Sequence, residues 1–177
     1  MRPFVILDRD GVINQDSTDY IKSPEEWMPI QGSIEAITLL STNGFDVFIA
    51  TNQAGIARGK LSLDDLEQIH QKLRETVSAA GGHIRDIKFC PHHPEDDCEC
   101  RKPKPGMLLQ LAQEHQLNLA GQPYVGDSLK DLRAAEAAEC KPVLVLTGNG
   151  QQTLLLRPDH KTVFKDLLAF AKNTLST

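Results

Sequence analysis

No window of the 177 residues approaches the roughly 20 consecutive apolar residues that a membrane span requires. A secretion signal is missing as well. The apolar run from Phe4 to Leu7 stops at Asp8, too short for a signal core and without a small-residue cleavage site. A soluble, cytoplasmic protein with no membrane partner is expected. Positive charge is scarce: 19 Lys and Arg stand against 24 Asp and Glu, for a net charge of −5, and aromatics make up only 5%. Counterion release and base stacking need the opposite balance, so no nucleic-acid partner is expected. Cysteine is sparse too, but three of the four cysteines crowd into positions 90–100 beside histidine. In a reducing compartment such clustering points to a metal before a disulfide. Cys140 stands apart and reads as a small apolar residue packed before a strand.

A 40% hydrophobic and 24% charged composition is ordinary for a globular chain. It suffices for one core, so residues 1–177 are read as a single domain and the protein as a monomer. Buried strands are expected at Phe4–Leu7, Val47–Ala50, Asp86–Cys90, Tyr124–Val125, Val143–Leu146 and Val163–Phe164. Helical spacing predicts helices over Ser33–Thr42, Ser62–Ala80, Pro105–Gln116, Leu129–Ala138 and Lys165–Leu175. The alternation predicts an α/β fold: a parallel sheet with helices on both faces and ligand chemistry at the carboxyl ends of the strands.

The residues expected at those ends suit phosphoryl transfer. Asp8-Arg9-Asp10-Gly11 follows the first strand. One carboxylate can attack phosphorus while the other protonates the leaving oxygen and later activates water. Alone, the same tetrapeptide could be a polar turn. Thr51 and Asn52 end the second strand with groups that bind phosphoryl oxygens, and Lys102 brings a fixed positive charge. Gly126-Asp127 ends the fourth strand and Asp131 follows one helical turn later. Hard oxygens of this kind suit Mg2+.

These four segments, Asp8-Arg-Asp10-Gly, Thr51-Asn52-Gln53, Lys102 and Gly126-Asp127-Ser-Leu-Lys-Asp131, resemble in order the motifs of the haloacid dehalogenase (HAD) superfamily. The resemblance runs to about Asn149 and implies a HAD-like Rossmannoid fold. It makes Asp8 the nucleophile, Asp10 the general acid and base, and Thr51 and Lys102 the phosphoryl holders. It implies Mg2+ held by Asp8, the Asp10 carbonyl and Asp127, with Asp131 in support. A scaffold that only binds phosphate would normally lack Asp8 or Asp10. No segment is long enough for a separate cap domain, so the site is expected to be open and its substrate small.

Cys90-Pro-His92-His93-Pro-Glu-Asp-Asp-Cys98-Glu-Cys100 offers three thiolates and an imidazole. Two short-spaced pairs suit tetrahedral Zn2+ with no open position, hence a structural zinc-binding loop. His92 is favoured as ligand because it forms Cys-x-His with Cys90, and His93 is the alternative. The loop ends at Arg101-Lys102, so a bound metal would hold both cations at the mouth of the site.

Two families within the superfamily resemble the chain in combining Asp-Arg-Asp-Gly, this Cys/His loop and Arg-Lys-Pro. They are the D-glycero-D-manno-heptose 1,7-bisphosphate 7-phosphatases of lipopolysaccharide heptose synthesis and the histidinol phosphatases. The segment Thr51-Asn-Gln-Ala-Gly-Ile-Ala-Arg-Gly-Lys60 is similar to the heptose family throughout, which favours a small phosphorylated sugar. The resemblance implies that the C7 phosphate leaves, with substrate contacts from Arg9, Asp16, Asp19, Asn52, Gln53, Arg101 and Lys102. Some relatives carry lysine directly after the metal-binding aspartate, where this chain has Ser128, with Lys130 two residues on. Arg58 and Lys60 read equally as a phosphate contact or a solvated turn.

Overall fold

The structure, a computed structural model, describes residues 2–176. In chain order its elements are β1 (Phe4–Leu7), α1 (Ser33–Thr42), β2 (Asp46–Asn52), α2 (Leu63–Ala79), β3 (Asp86–Cys90), α3 (Gly106–His115), β4 (Pro123–Gly126), α4 (Leu129–Ala137), β5 (Lys141–Val145), α5 (Gly150–Leu156), β6 (Val163–Phe164) and α6 (Leu167–Leu175). All six strands pair in parallel in the order β3-β2-β1-β4-β5-β6. From β1 the chain builds outward through β2 and β3, then crosses back to lay β4 on the other side of β1. The crevice between the carboxyl ends of β1 and β4 is therefore the point where winding reverses, the usual ligand site of an open parallel sheet.

Alternation along the strands feeds two cores. Val5, Leu7, Val47, Ile49 and Val125 face α1, α2 and α6, while Phe4, Ile6, Phe48, Ala50 and Tyr124 face α3 and α4. Helix α2 starts where Ser62 accepts from the Asp65 amide and Asp65 answers to the Ser62 amide, a capping box. Cys140 packs in the second core, and burial pushes its thiol up to about 12, leaving an unreactive thiol.

Apart from shifts of one or two residues at element ends, such as β2 running to Asn52, three differences from the expected elements have a physical cause. β5 begins at Lys141 and includes Pro142, a residue that argues against a central strand. Pro142 is tolerated because β6 reaches only from Leu144, so β5 is an edge there. Helix α6 starts at Leu167, since Asp166 caps it by accepting from the Ala169 amide at 2.8 Å. Helix α5 was not expected. It buries only Gly150 and Thr153 and carries consecutive leucines without helical spacing, so it has no amphipathic stripe to read.

Residues 8–32 form a long connection between β1 and α1. It folds onto the sheet through buried Val12, Ile13, Ile21 and Trp27, and is tied by bridges pairing Asn14 with Asp10 and Pro29. Among the described residues no separate cap domain stands over the strand ends, and no helix is long and apolar enough to cross a membrane.

Candidate active site

Four strand ends deliver the site. β1 leads into Asp8, whose amide donates to the Val125 carbonyl of β4 at 2.8 Å, pinning it across the crevice. Asp8 Oδ1 takes the Arg9 amide at 2.8 Å and Lys102 Nζ at 2.8 Å. Among the described residues no donor meets Oδ2. The Lys102 ammonium, 2% exposed, also meets Asp131 Oδ1 at 2.7 Å, the Ala50 carbonyl at 3.0 Å and the Tyr124 hydroxyl at 2.9 Å. Burial works against its charge, but Asp131 and Asp8 outweigh it and hold the pKa above the ordinary lysine value. Lys102 is oriented from behind by Asn52. The Asn52 side-chain amide donates to the Lys102 carbonyl and accepts from the Lys102 amide, both at 3.1 Å.

Asp131 supports the other groups. Its Oδ2 accepts the amides of Asp127 and Ser128 and the Ser128 hydroxyl, while Oδ1 is held by Lys102 and Tyr124. Burial pushes its pKa up, but these donors, Lys102 first, bring it below the ordinary value. Ser128, placed where some relatives carry lysine, is thus the cap of α4 and part of a second capping box. Asp127 presents Oδ2 to the Asn149 amide at 2.7 Å, and no described residue donates to its Oδ1. Burial and the Asp131 charge push the Asp127 pKa up to about 7, and the same two causes raise Asp8 well above the carboxylate range. Backbone without side chains lets the loops close on Asp127. A Cβ on Gly11 (φ +83°) would fall 2.1 Å from its Oδ2, and one on Gly148 2.2 Å from the same atom.

Asp8, Asp127 and Asp131 bring carboxylate oxygens within 4.8 Å of one another against a single lysine. Both oxygens of Asp131 are engaged, whereas Asp8 and Asp127 each keep one without a protein donor. A surplus of buried negative charge with two free hard oxygens is a donor set that fits Mg2+.

Asp10 is held by three side chains. Arg9 donates to Oδ1 through Nε at 3.0 Å and Nη2 at 2.9 Å, Asn14 to Oδ1 at 2.9 Å and Gln53 to Oδ2 at 2.9 Å. Gln53 also donates to the Thr51 hydroxyl at 2.9 Å, joining the ends of β1 and β2. These groups line a cleft of about 550 Å³, with Asp16, Tyr20, Arg58, Arg101 and Lys130 also on its walls.

Two residues expected to contact substrate stand off the cleft wall. Arg9 is 0% exposed, and its guanidinium is turned onto Asp10 and His70, which hold it off the cleft wall. Asp19 also lies off the cleft: it is exposed and bridges Lys22 and Lys60, both at 3.2 Å. Lys60 is thereby a loop-to-loop partner, while Arg58 reaches the cleft. Sequence reasoning missed Asn149, Tyr124, Asn14 and His70. Asn149 had a signal, since it lies between two glycines just past the fifth strand end. The others had none.

In the Cys/His loop, His92 Nδ1 lies 3.5 Å from Cys90 Sγ and 3.2 Å from Cys100 Sγ. Cys98 Sγ lies 3.6 Å from both other sulfurs. Ligands bound at about 2.0–2.3 Å around a tetrahedral zinc stand at edges close to these. His93 faces elsewhere, with Nδ1 accepting the Glu95 amide.

The HAD-hydrolase-like family model matches residues 99–170. Curated D-glycero-beta-D-manno-heptose-1,7-bisphosphate 7-phosphatases from Pseudomonas aeruginosa and Bordetella bronchiseptica are 53% and 47% identical, with 98% and 97% of each chain covered. The chain belongs to this heptose bisphosphate phosphatase family. The crystal structure of the Bordetella bronchiseptica D,D-heptose 1,7-bisphosphate phosphatase, complexed with magnesium and phosphate, superposes with a TM-score of 0.95 at 46% identity over 98% of both chains. The Burkholderia thailandensis family member gives 0.77 at 38% identity over 99% of both. Membership ranks the heptose family above the histidinol phosphatases, which share the Cys/His loop.

Proposed function

We propose that this protein hydrolyses the C7 phosphate of D-glycero-D-manno-heptose 1,7-bisphosphate through an aspartyl phosphate on Asp8, with Mg2+, in the lipopolysaccharide heptose route. The observation that carries the chemistry is the pair of restrained carboxylates at one crevice: Asp8, 2.8 Å from Lys102, and Asp10, held by Arg9, Asn14 and Gln53. Asp8 attacks phosphorus as the bond to the sugar oxygen breaks, and Asp10 gives that oxygen its proton. Asp10 then takes a proton from water, which attacks the acyl phosphate and frees Asp8. Lys102 and the Thr51 hydroxyl hold the transferring oxygens throughout. Asp8, Asp127 and the Asp10 carbonyl would hold the cation, which supplies positive charge between the carboxylates and the phosphate.

Arg101 supports a second anion on the substrate, because it lines the cleft with a buried Nη1 that has no partner among the described residues. Asp16, Asn52 and Gln53 are the remaining contacts in this reading. The beta anomer in the relatives' names supports the beta heptose as substrate. The Cys/His loop carries a structural Zn2+ that steadies Arg101 and Lys102. We read the protein as a cytoplasmic monomer, since one chain supplies every group the reaction needs.

A phosphate-release panel with both heptose bisphosphate anomers and histidinol phosphate tests the reading. Dominant turnover of the beta heptose is expected, and dominant turnover of histidinol phosphate would overturn it. Asp8→Asn should abolish release while leaving the fold intact, and activity near the parent's would remove Asp8 from its role.

A further inference from the structure

Arg9 donates to Asp10 with one edge of its guanidinium, and its remaining nitrogen, Nη1, meets His70 Nε2 at 3.2 Å. A guanidinium only donates, so Nε2 is the acceptor and the ring proton lies on Nδ1. His70 sits on α2, 3% exposed, beside the Phe89 ring of β3 at 6.0 Å between centroids. It stands one helical turn from Leu66 on one side and from Arg74 on the other, within reach of the Arg9 and Asp10 charges. We infer that His70 is a positioning residue for the acid–base step: it fixes Arg9, and Arg9 fixes the direction in which Asp10 presents its carboxyl. The inference rests on the role proposed for Asp10.

The contacts support a functional part for this histidine. Burial and the Arg9 charge lower the His70 pKa to about 3, so the imidazole remains a neutral acceptor. Without that acceptor, a buried Nη1–H would be unpaired, and the guanidinium would turn to satisfy it. Asn14 and Gln53 would still hold Asp10, but two of its contacts to Oδ1 and one to Oδ2 come from Arg9.

The test separates acid catalysis from general damage by the leaving group. kcat/KM contains only the steps through departure of the alcohol. A sugar alkoxide needs the proton from Asp10, whereas p-nitrophenolate leaves without it. With both substrates assayed in one preparation, the ratio of the two kcat/KM values is independent of the fraction folded. His70→Leu should lower kcat/KM on the heptose bisphosphate by roughly 10- to 100-fold, a loss within the range a general acid supplies. It should leave p-nitrophenyl phosphate nearly unaffected. His70→Gln, which keeps an acceptor oxygen, should recover most of the loss. Equal losses on both substrates, or none on either, would overturn the inference. Asp10→Asn serves as the reference: if it spared the heptose substrate, the acid assignment itself would fall, whatever His70 did.

Discussion

At the scale of single residues, charge is the main cost of this site. Asp127 has its pKa raised from the ordinary 3.8 to about 7 by burial and by Asp131. Without metal, folding therefore takes up a proton between those values. Stability from this group is fully present below pH 4 and is lost as pH rises through about 7. Asp127→Asn removes the titration. In metal-free buffer the variant's melting temperature should gain on the parent's as pH rises from 4 to 7, and saturating Mg2+ should reverse the advantage by stabilising only the parent. A pH-independent difference between the two would contradict this account. Asp8, Asp10, Thr51 and Asp127 were legible because each ends or closely follows a strand with chemistry in its side chain, and Lys102 because it closes the Cys/His loop that leaves β3. The inward direction of the Arg9 guanidinium, onto Asp10 and His70, was not legible, because it depends on partners met across the fold.

Elements convert those residues into a fixed geometry. Helix α4 begins on a capping box in which Ser128 and Asp131 hold each other, so one cap serves both the helix and the Lys102 ion pair. Ser128→Ala should cost about 1 kcal/mol as a lost cap. In a chain of this length that lowers the melting temperature by about 2–4 °C. A fall in kcat should accompany it, because Asp131 loses one of its two shortest donors, the other being Lys102. The Cys/His loop joins β3 to Lys102 in the same way. Chelation of the zinc proposed there should loosen residues 90–102, reduce turnover and speed amide exchange, and adding zinc back should restore all three. An unchanged exchange pattern after verified metal loss would remove the loop from its supporting role. Capped helices with a clear stripe, such as α2, were predictable, whereas α5 was not. Its position is fixed by the end of β5 and by Thr153, which donates to the Asp127 carbonyl at 2.8 Å.

For the whole molecule, the sheet order decides where the charges meet. β1 and β4 are neighbours only because the chain reverses its winding after β3, and this sets Asp8 beside Asp127 although 119 positions separate them in the sequence. A cation held there binds the native state alone. At 100 times its dissociation constant Mg2+ should stabilise the protein by about 2.7 kcal/mol. A scanning experiment should read this as a rise of roughly 5–11 °C, and Ca2+ or Mg2+ titration of Asp8→Asn should give less. The sequence by itself determined the alternating α/β fold, the strand-end carboxylates and the tetrad of zinc-type ligands. Local periodicity, turn residues and short spacings are properties of neighbouring positions. Only the tertiary structure decided which oxygens stay free, that His92 and not His93 joins the cysteines, that Arg9 turns inward, and that His70 and Asn149 reach the site. Those outcomes depend on side chains meeting across elements far apart in the chain, where burial and hydrogen-bond satisfaction choose among directions that the sequence leaves open.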